Sequence, residues 1–216
     1  MTTSVLLTGF EPFDGERINP SAEIARALDG EIVREHRIAS AILPVAFAST
    51  RPMLEALLDA HRPALVIATG QAGGRSELSI ERIAANLVDA RIPDADGAQP
   101  IDVRVIDDAP DAYFSTLPVK AILERMRRLG IPAALSQTAG AYVCNQAFFV
   151  LAHLVATRHR ETRAGFVHVP WLPEQAARHP GQPSVALETM VEGVRAAIDV
   201  ALSTHTDRRF AGGETH

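Results

Sequence analysis

Residues 133–170 read AALSQTAGAYVCNQAFFVLAHLVATRHRETRAGFVHVP, and the order of patterns within them decides the fold. Ala133 to Ser136 is a short apolar run of strand length. Gln137-Thr138-Ala139-Gly140 follows as a turn-like stretch. Asn145 to Ala156 is then almost continuously apolar, too long for one strand and suited to a buried helix. Gly165 to Val169 is a second strand, cut off by Pro170, which cannot donate to a ladder. A strand, a helix and a strand in succession are the alternation of an α/β fold, with helices covering a sheet.

The same alternation extends in both directions. Upstream, Ser4 to Thr8 reads as a buried strand ending at Gly9. Asn19 and Pro20 then open a helix as N-cap and first helical residue, with Gly30 as its stop. Arg37 to Val45 is a strand, Pro52 to Ala60 a helix, and Ala64 to Thr69 a strand ending at Gly70. Leu78 to Asp89 fits helix or strand, and the reading favours a strand over Arg82 to Val88. Ile101 to Ile106 alternates cleanly and is expected to be a strand. Val119, Ile122, Leu123, Met126 and Leu129 share one helical face before Gly130. Downstream, Leu187, Met190, Val191, Val194, Ile198 and Ala201 define a last amphipathic helix. The expected fold is α/β: a three-layer α/β/α sandwich around a twisted, largely parallel mixed sheet. Residues 1–203 are read as a single catalytic domain. The polar, Gly-rich stretch 204–216 is read as a disordered tail.

Composition narrows the function. The chain has 216 residues and a net charge of −5, without a basic run or stripe, so neither nucleic acid nor an anionic membrane is an expected partner. The N-terminus lacks the basic and apolar regions of a secretory signal, and no segment has the apolar length of a membrane span. The single cysteine cannot form an internal disulfide. It therefore fits a reducing compartment, with the cytoplasm as the expected location.

That cysteine, Cys144, falls at the start of the expected buried helix. Unpaired N–H groups there carry partial positive charge and favour the thiolate, the nucleophilic form. A thiol nucleophile needs a base and a group to orient it. Of the eight histidines, His168 stands near the end of a strand, where active sites of α/β sheets gather. Glu81 lies among Leu78, Ile80 and Ile83, where a buried acid needs a partner. Each also has a bland reading: a buried small hydrophobe, a satisfied core histidine, an acid facing solvent. No close His and acid spacing suggests a metal site, and one cysteine cannot build structural zinc. The loop Gly70-Gln71-Ala72-Gly73-Gly74 lacks the Lys-Ser/Thr of a phosphate loop and reads as a close backbone approach to a small ligand.

Longer motifs resemble a known family. Gly9-Phe10-Glu11-Pro12-Phe13-Asp14-Gly15 with Ile18-Asn19-Pro20-Ser21 resembles the N-terminal signature of pyroglutamyl peptidase I, the pyrrolidone-carboxylate peptidases. So do Gly70 to Arg75 with Ile80-Glu81-Arg82, Asp89 to Asp94, Ala139-Gly140 with Val143-Cys144-Asn145, and Val167 to Pro170 with Leu172 to Gln175. The resemblance spans roughly residues 4 to 200. It implies a cysteine peptidase that removes an N-terminal pyroglutamyl residue from peptides through a thioester, without metal or cofactor, often as a homotetramer. It places the catalytic groups at Cys144, His168 and Glu81, with the Cys144 amide and Arg91 supporting the oxyanion. For the lactam ring, Phe10, Phe13, Ile92, Tyr142 and Val143 are expected to form an apolar slot. Asn19 and Gln71 are expected to pair with its amide.

Three positions depart from the pattern: Tyr142 where Phe is expected, Gln146 after Cys144-Asn145, and Trp171 where a smaller aromatic is expected. Two rival readings remain open at this level. One is another enzyme on a similar sandwich, such as a nucleoside phosphorylase, although no Arg cluster accompanies the Gly-rich loops. The other is a binding protein that holds pyroglutamyl peptides without cleaving them.

Overall fold

The computed structural model of the chain describes residues 4–212. The first half contains β1 (Ser4–Phe10), α1 (Pro20–Leu28), β2 (Ile32–Val33), β3 (His36–Leu43), α2 (Phe47–His61) and β4 (Leu65–Gln71). Next come β5 (Leu78–Glu81), β6 (Ile83–Ala85), β7 (Ala112–Phe114), α3 (Val119–Arg128) and β8 (Ala133–Ser136). The chain continues through α4 (Val143–Thr157), β9 (Arg163–Val169), the short α5 (Pro173–Ala176) and α6 (Leu187–Ser203). Seven strands form one sheet in the order β2-β3-β1-β4-β9-β5-β8, and β6 with β7 forms a separate ribbon. Pairings β1·β3, β1·β4, β4·β9 and β5·β8 are parallel; β2·β3 and β5·β9 are antiparallel. The fold is the α/β sandwich read from the alternation of elements.

Period-two alternation divides each central strand between two cores. Leu7, Ile67, Val167, Ile80 and Leu135 face a cluster completed by Ile24, Ile122, Met126, Met190, Val194 and Ile198 of α1, α3 and α6. Leu6, Val66, Ala68 and Phe166 face the other cluster, with Leu54 and Leu58 of α2 and Phe148, Leu151 and Leu154 of α4. The sheet is thus covered on both sides, and the ends of its central strands carry the loops that matter. Close packing sets those ends. A Cβ on Gly9 would stand 2.3 Å from the Ser21 carbonyl oxygen, so only glycine lets β1 touch the start of α1. Asn19 caps α1 by accepting from the Ser21 amide at 3.0 Å, and Ser21 Oγ in turn accepts from the Phe10 amide at 2.9 Å.

Several expected elements are displaced, each for a physical reason. The ambiguous stretch 78–89 is extended, but its strand breaks at Arg82, where the chain passes from the main sheet to the ribbon. Ile101–Ile106 is not a strand. Only Val103 makes a bridge, to Val88, because the amide side chain of Asn86 takes up the Ile106 N–H at 3.0 Å and carbonyl at 2.8 Å. Helix α2 begins at Phe47, ahead of the expected Pro52, because Asp94 accepts from the Phe47 amide at 2.7 Å. The segment after Ser203, expected to be disordered, is held in place as far as residue 212. Asp207 accepts from the Lys120 and Ala121 amides at 3.1 and 2.9 Å and caps α3, and the Lys120 ammonium lies 5.5 Å from the Phe210 ring. Residues 213–216 lie outside the described range. Sequence patterns did not reveal β2 or β7, which are two and three residues long.

Candidate active site

Three separate elements bring Glu81, His168 and Cys144 to one place. His168 stands near the end of β9 and Glu81 ends β5, and the antiparallel pairing of these strands sets Glu81 opposite Phe166 and Ser79 opposite His168. Glu81 and His168 therefore project on the same face, and the imidazole Nδ1 lies 2.7 Å from Glu81 Oε1. Glu81 is 0% exposed, so its solvent-facing alternative is excluded. Cys144 occupies the first turn of α4 and is half-buried. Its sulfur lies against Gly70, where a Cβ would come within 2.8 Å of Sγ. Gly70 is the register partner of His168 on the adjacent strand, so the thiol and the imidazole lie on the same side of neighbouring strands. Among the described residues no hydrogen bond joins them. Such bonds often tighten only when substrate binds.

The electrostatics of this resting form differ from the sequence expectation. Burial pushes the Cys144 thiol up to about 12, the Glu81 charge adds to the rise, and Arg75 opposes it. A helix N-terminus contributes at most about 2 kcal/mol, and desolvation of the thiolate outweighs it. Burial also lowers His168 below its ordinary value, against the hydrogen bond and charge of Glu81. At neutral pH the pair is thus a thiol beside a neutral imidazole. The carboxylate fixes the ring through Nδ1 and leaves Nε2 free to take a proton, the arrangement of a general base with its orienting acid.

Beside the sulfur, Phe10, Phe13, Asn19, Val45, Gln71, Tyr142, Val143 and Cys144 line a narrow apolar slot. Six of the seven residues expected to hold substrate therefore converge there. Asn19 is occupied on both sides, since its Nδ2 donates to the Glu11 carbonyl at 2.9 Å while Oδ1 caps α1. The Gln71 side chain accepts from Gln175 at 2.9 Å and turns away to join that network. The Tyr142 hydroxyl donates to the Pro93 carbonyl at 3.0 Å, and its ring packs edge-on against Phe47 at 5.3 Å. The extra oxygen of this departure is thus committed to the neighbouring loop. Tyr142 is also the N-cap of α4 and makes no side-chain cap bond, so the first amides of α4 have no acceptor within the helix.

Two expected residues stand apart from this group. Ile92 does not line the slot. Arg91 is 81% exposed, with its guanidinium 3.8 Å from Asp14. The reason lies in their loop. Asp94 is buried and accepts from the Phe47, Asp96 and Ala98 amides, which fastens the loop by its own backbone and leaves Arg91 on the outer side. The arginine within the catalytic cluster is Arg75, 2.8 Å from Glu81 Oε1. In the sequence Arg75 stands out only as part of a motif. So does Gln175, which is fully buried and donates to Gln71, Ile18 and Glu16. The other departures have local roles. Gln146 donates to the Phe47 carbonyl at 3.1 Å, and Trp171 packs on Gly73 while stacking at 4.2 Å with His179.

With this geometry in hand, known proteins give a consistent picture. The sequence matches the model of the family described as pyroglutamyl peptidase over residues 3–204. A pyrrolidone-carboxylate peptidase of Cupriavidus taiwanensis is 57% identical, over 99% of each chain. One from Bacillus cytotoxicus is 49% identical over 99% of each chain. The crystal structure of pyroglutamyl peptidase I from Bacillus amyloliquefaciens superposes with a TM-score of 0.95 at 38% identity, covering 98% of this chain and 100% of that one. A mutant pyrrolidone carboxyl peptidase from Pyrococcus furiosus gives 0.91 at 43% identity, covering 93% of this chain and 99% of that one.

Proposed function

The chain belongs to the pyroglutamyl peptidase family, and we infer from that membership and from its site that it is a cysteine peptidase removing N-terminal pyroglutamyl residues from peptides. The observation that carries this reading is the Glu81–His168 pair with Cys144 against the adjacent strand end, beside a narrow apolar slot. Cys144 is the nucleophile, His168 the base and then the acid, and Glu81 the group that orients the imidazole.

The steps follow from the resting charges. As Sγ attacks the pyroglutamyl carbonyl carbon, its proton passes to His168 Nε2, and the C=O π pair moves onto oxygen. That oxyanion is received by the first amides of α4, the Cys144 N–H among them; such a donor is worth roughly 3 kcal/mol in a transition state. Collapse of the adduct breaks the C–N bond, and the leaving nitrogen takes the proton from Nε2. Water then attacks the thioester with His168 again as base, releasing pyroglutamate and the thiol. Glu81 stabilises the imidazolium at each proton transfer.

Selectivity rests on the slot. A lactam carries no charged amine, so a ring held by Phe10, Phe13, Tyr142 and Val143 needs no acidic anchor. Backbone groups of Gln71 at the rim pair with its amide, while Asn19, committed to Glu11 and to the α1 cap, shapes the rim. Analogues lacking that amide would leave those backbone groups buried and unpaired. Arg91 and Ile92 belong to the reading as residues of the neighbouring loop, Arg91 to support the oxyanion and Ile92 to border the ring.

The same reading takes residues 1–203 as one catalytic unit working in the cytoplasm. A required free thiol supports that location, and recovery from an oxidising compartment on fractionation would contradict it. It also includes a homotetramer, supported by exposed Leu87, Ile101, Val103 and Phe114 on or beside the β6–β7 ribbon. A mass of one chain in sedimentation would contradict that state. The central test compares hydrolysis of a pyroglutamyl amide with prolyl and glutaminyl amides, using wild type and Cys144→Ala. Only the pyroglutamyl amide should be cleaved, and only by wild type. Equal cleavage by the Ala variant would exclude thiol catalysis, and equal cleavage of the glutaminyl amide would exclude lactam selectivity.

A further inference from the structure

Arg75 lies on the turn after β4, six residues before Glu81, and its guanidinium reaches two acceptors. Nη1 donates to Glu81 Oε1 at 2.8 Å and Nη2 to the Thr138 carbonyl at 3.4 Å. Glu81 Oε1 also accepts the His168 contact at 2.7 Å, whereas Glu81 Oε2 is buried without a partner. One carboxylate oxygen therefore serves both the cation and the imidazole. The second acceptor matters equally. The Thr138 carbonyl also accepts from Ser136 Oγ at 3.0 Å, and Thr138 Oγ1 accepts from the Gly140 amide at 3.0 Å. Those residues begin the loop that ends at Tyr142, the N-cap of the helix bearing Cys144.

We propose that Arg75 is a positioning residue for the reaction: it pairs with the buried Glu81 carboxylate beside His168 and ties it to the loop that presents Cys144. The proposal rests on the cysteine-peptidase reading above. A carboxylate with no exposure is stable only if it is paired. The resting imidazole is neutral, so it supplies a hydrogen bond without a charge. Arg75, with 31% of its side chain exposed, is the cation that completes the balance.

Among the described residues, the charged and titratable groups around His168 are Glu81 from β5, Arg75 from the turn after β4, and Cys144 from α4. Phe166 adds an apolar ring 4.8 Å away. Arg75 opposes protonation of His168. Removing it lets the ring hold a proton to higher pH, which moves the acid limb of the kcat/KM profile upward in pH.

The experiment compares wild type, Arg75→Met, Arg75→Gln and Arg75→Lys on a pyroglutamyl arylamide and a longer pyroglutamyl peptide, each across pH. Arg75→Met should lose about 10- to 100-fold in kcat, as expected for one charge-assisted contact, with KM little changed. Its acid limb should move to higher pH on both substrates, and Arg75→Lys should restore most of the limb. Arg75→Gln keeps the comparison available if the Met variant unfolds, which thermal melting would reveal. Wild-type kcat with an unmoved acid limb in the neutral variants would overturn the proposal. So would a loss confined to KM or to the longer substrate, which would instead assign Arg75 to the leaving peptide in the polar groove it lines with Ser76, Ser79 and Gln137. An inert wild type would count against the peptidase reading itself, so the two failures are distinguishable.

Discussion

Gly70 shows how little room the nucleophile has. The sulfur of Cys144 and the Phe166 ring each lie 2.8 Å from where a Cβ at this position would stand. A side chain there must push one of them aside. The thiol is the group that catalysis cannot let move, because a misplacement of about 1 Å can cost on the order of 100-fold. Gly70→Ala is therefore expected to lower kcat/KM on a pyroglutamyl arylamide by about 100-fold with its melting temperature only modestly reduced. Wild-type turnover would show that the sulfur has slack the packing does not suggest. At this scale each catalytic residue was visible as a candidate, since the chain has one cysteine, one histidine near a strand end at the active edge, and one acid set among aliphatics. Arg75 was harder to see, because a Gly-rich loop gives no sign of which buried carboxylate its arginine meets.

The elements that shape the slot depend on long-range caps. Asp94 Oδ2 holds the Phe47 amide at 2.7 Å, while Oδ1 holds the Asp96 and Ala98 amides at 3.0 and 2.8 Å. One carboxylate thus starts α2, folds the loop after residue 90 and fixes the Phe47–Tyr142 wall. Asp94→Ala should cost about 1–2 kcal/mol, the range of a lost N-cap, and raise KM more than it lowers kcat. Denaturant unfolding and steady-state kinetics check both parts, and unchanged KM would separate the loop from substrate binding. Helix α1, whose cap lies beside it in the chain, was legible at both ends. Helix α2 was legible only from Pro52 onward, because its cap lies 47 residues away. The expected strand at 101–106 failed for a related reason: Asn86, far earlier in the chain, takes the backbone groups that a neighbouring strand would need.

For the whole molecule, buried ionisable groups predict how stability depends on pH. His168 and His153 are lowered from 6.5 chiefly by burial, so the unfolded chain binds protons there that the folded chain refuses. Their contribution is full above 6.5 and is lost as pH falls through the lowered folded values. Glu16 and Glu31 are lowered from 4.5 by their partners, against burial, and deepen the loss in a second, more acidic window. On the alkaline side Cys144 is raised from 9.0 to about 12 by burial, so its contribution is present below 9.0 and lost as pH rises toward 12. Tyr142, raised from 10.0 to about 12 by burial, joins it later. Urea midpoints should therefore be highest between about 6.5 and 9 and fall on both sides. Cys144→Ala should lose the part of the alkaline fall that starts near 9 and keep the later part; an unaltered alkaline limb would show that the thiol does not titrate as its burial implies.

Sequence alone determined the layered α/β architecture, because alternating apolar periods are local and each element's buried face is written in its own residues. It also supplied the catalytic candidates and the motifs that mark the family. Only the tertiary structure decided which groups meet. Glu81 and His168 are 87 residues apart and touch because β5 runs antiparallel beside β9, a pairing that no local pattern encodes. The charge state of the site was decided there too. Desolvation depends on everything packed around a group, so the thiol that helix position alone would ionise is kept protonated by its surroundings.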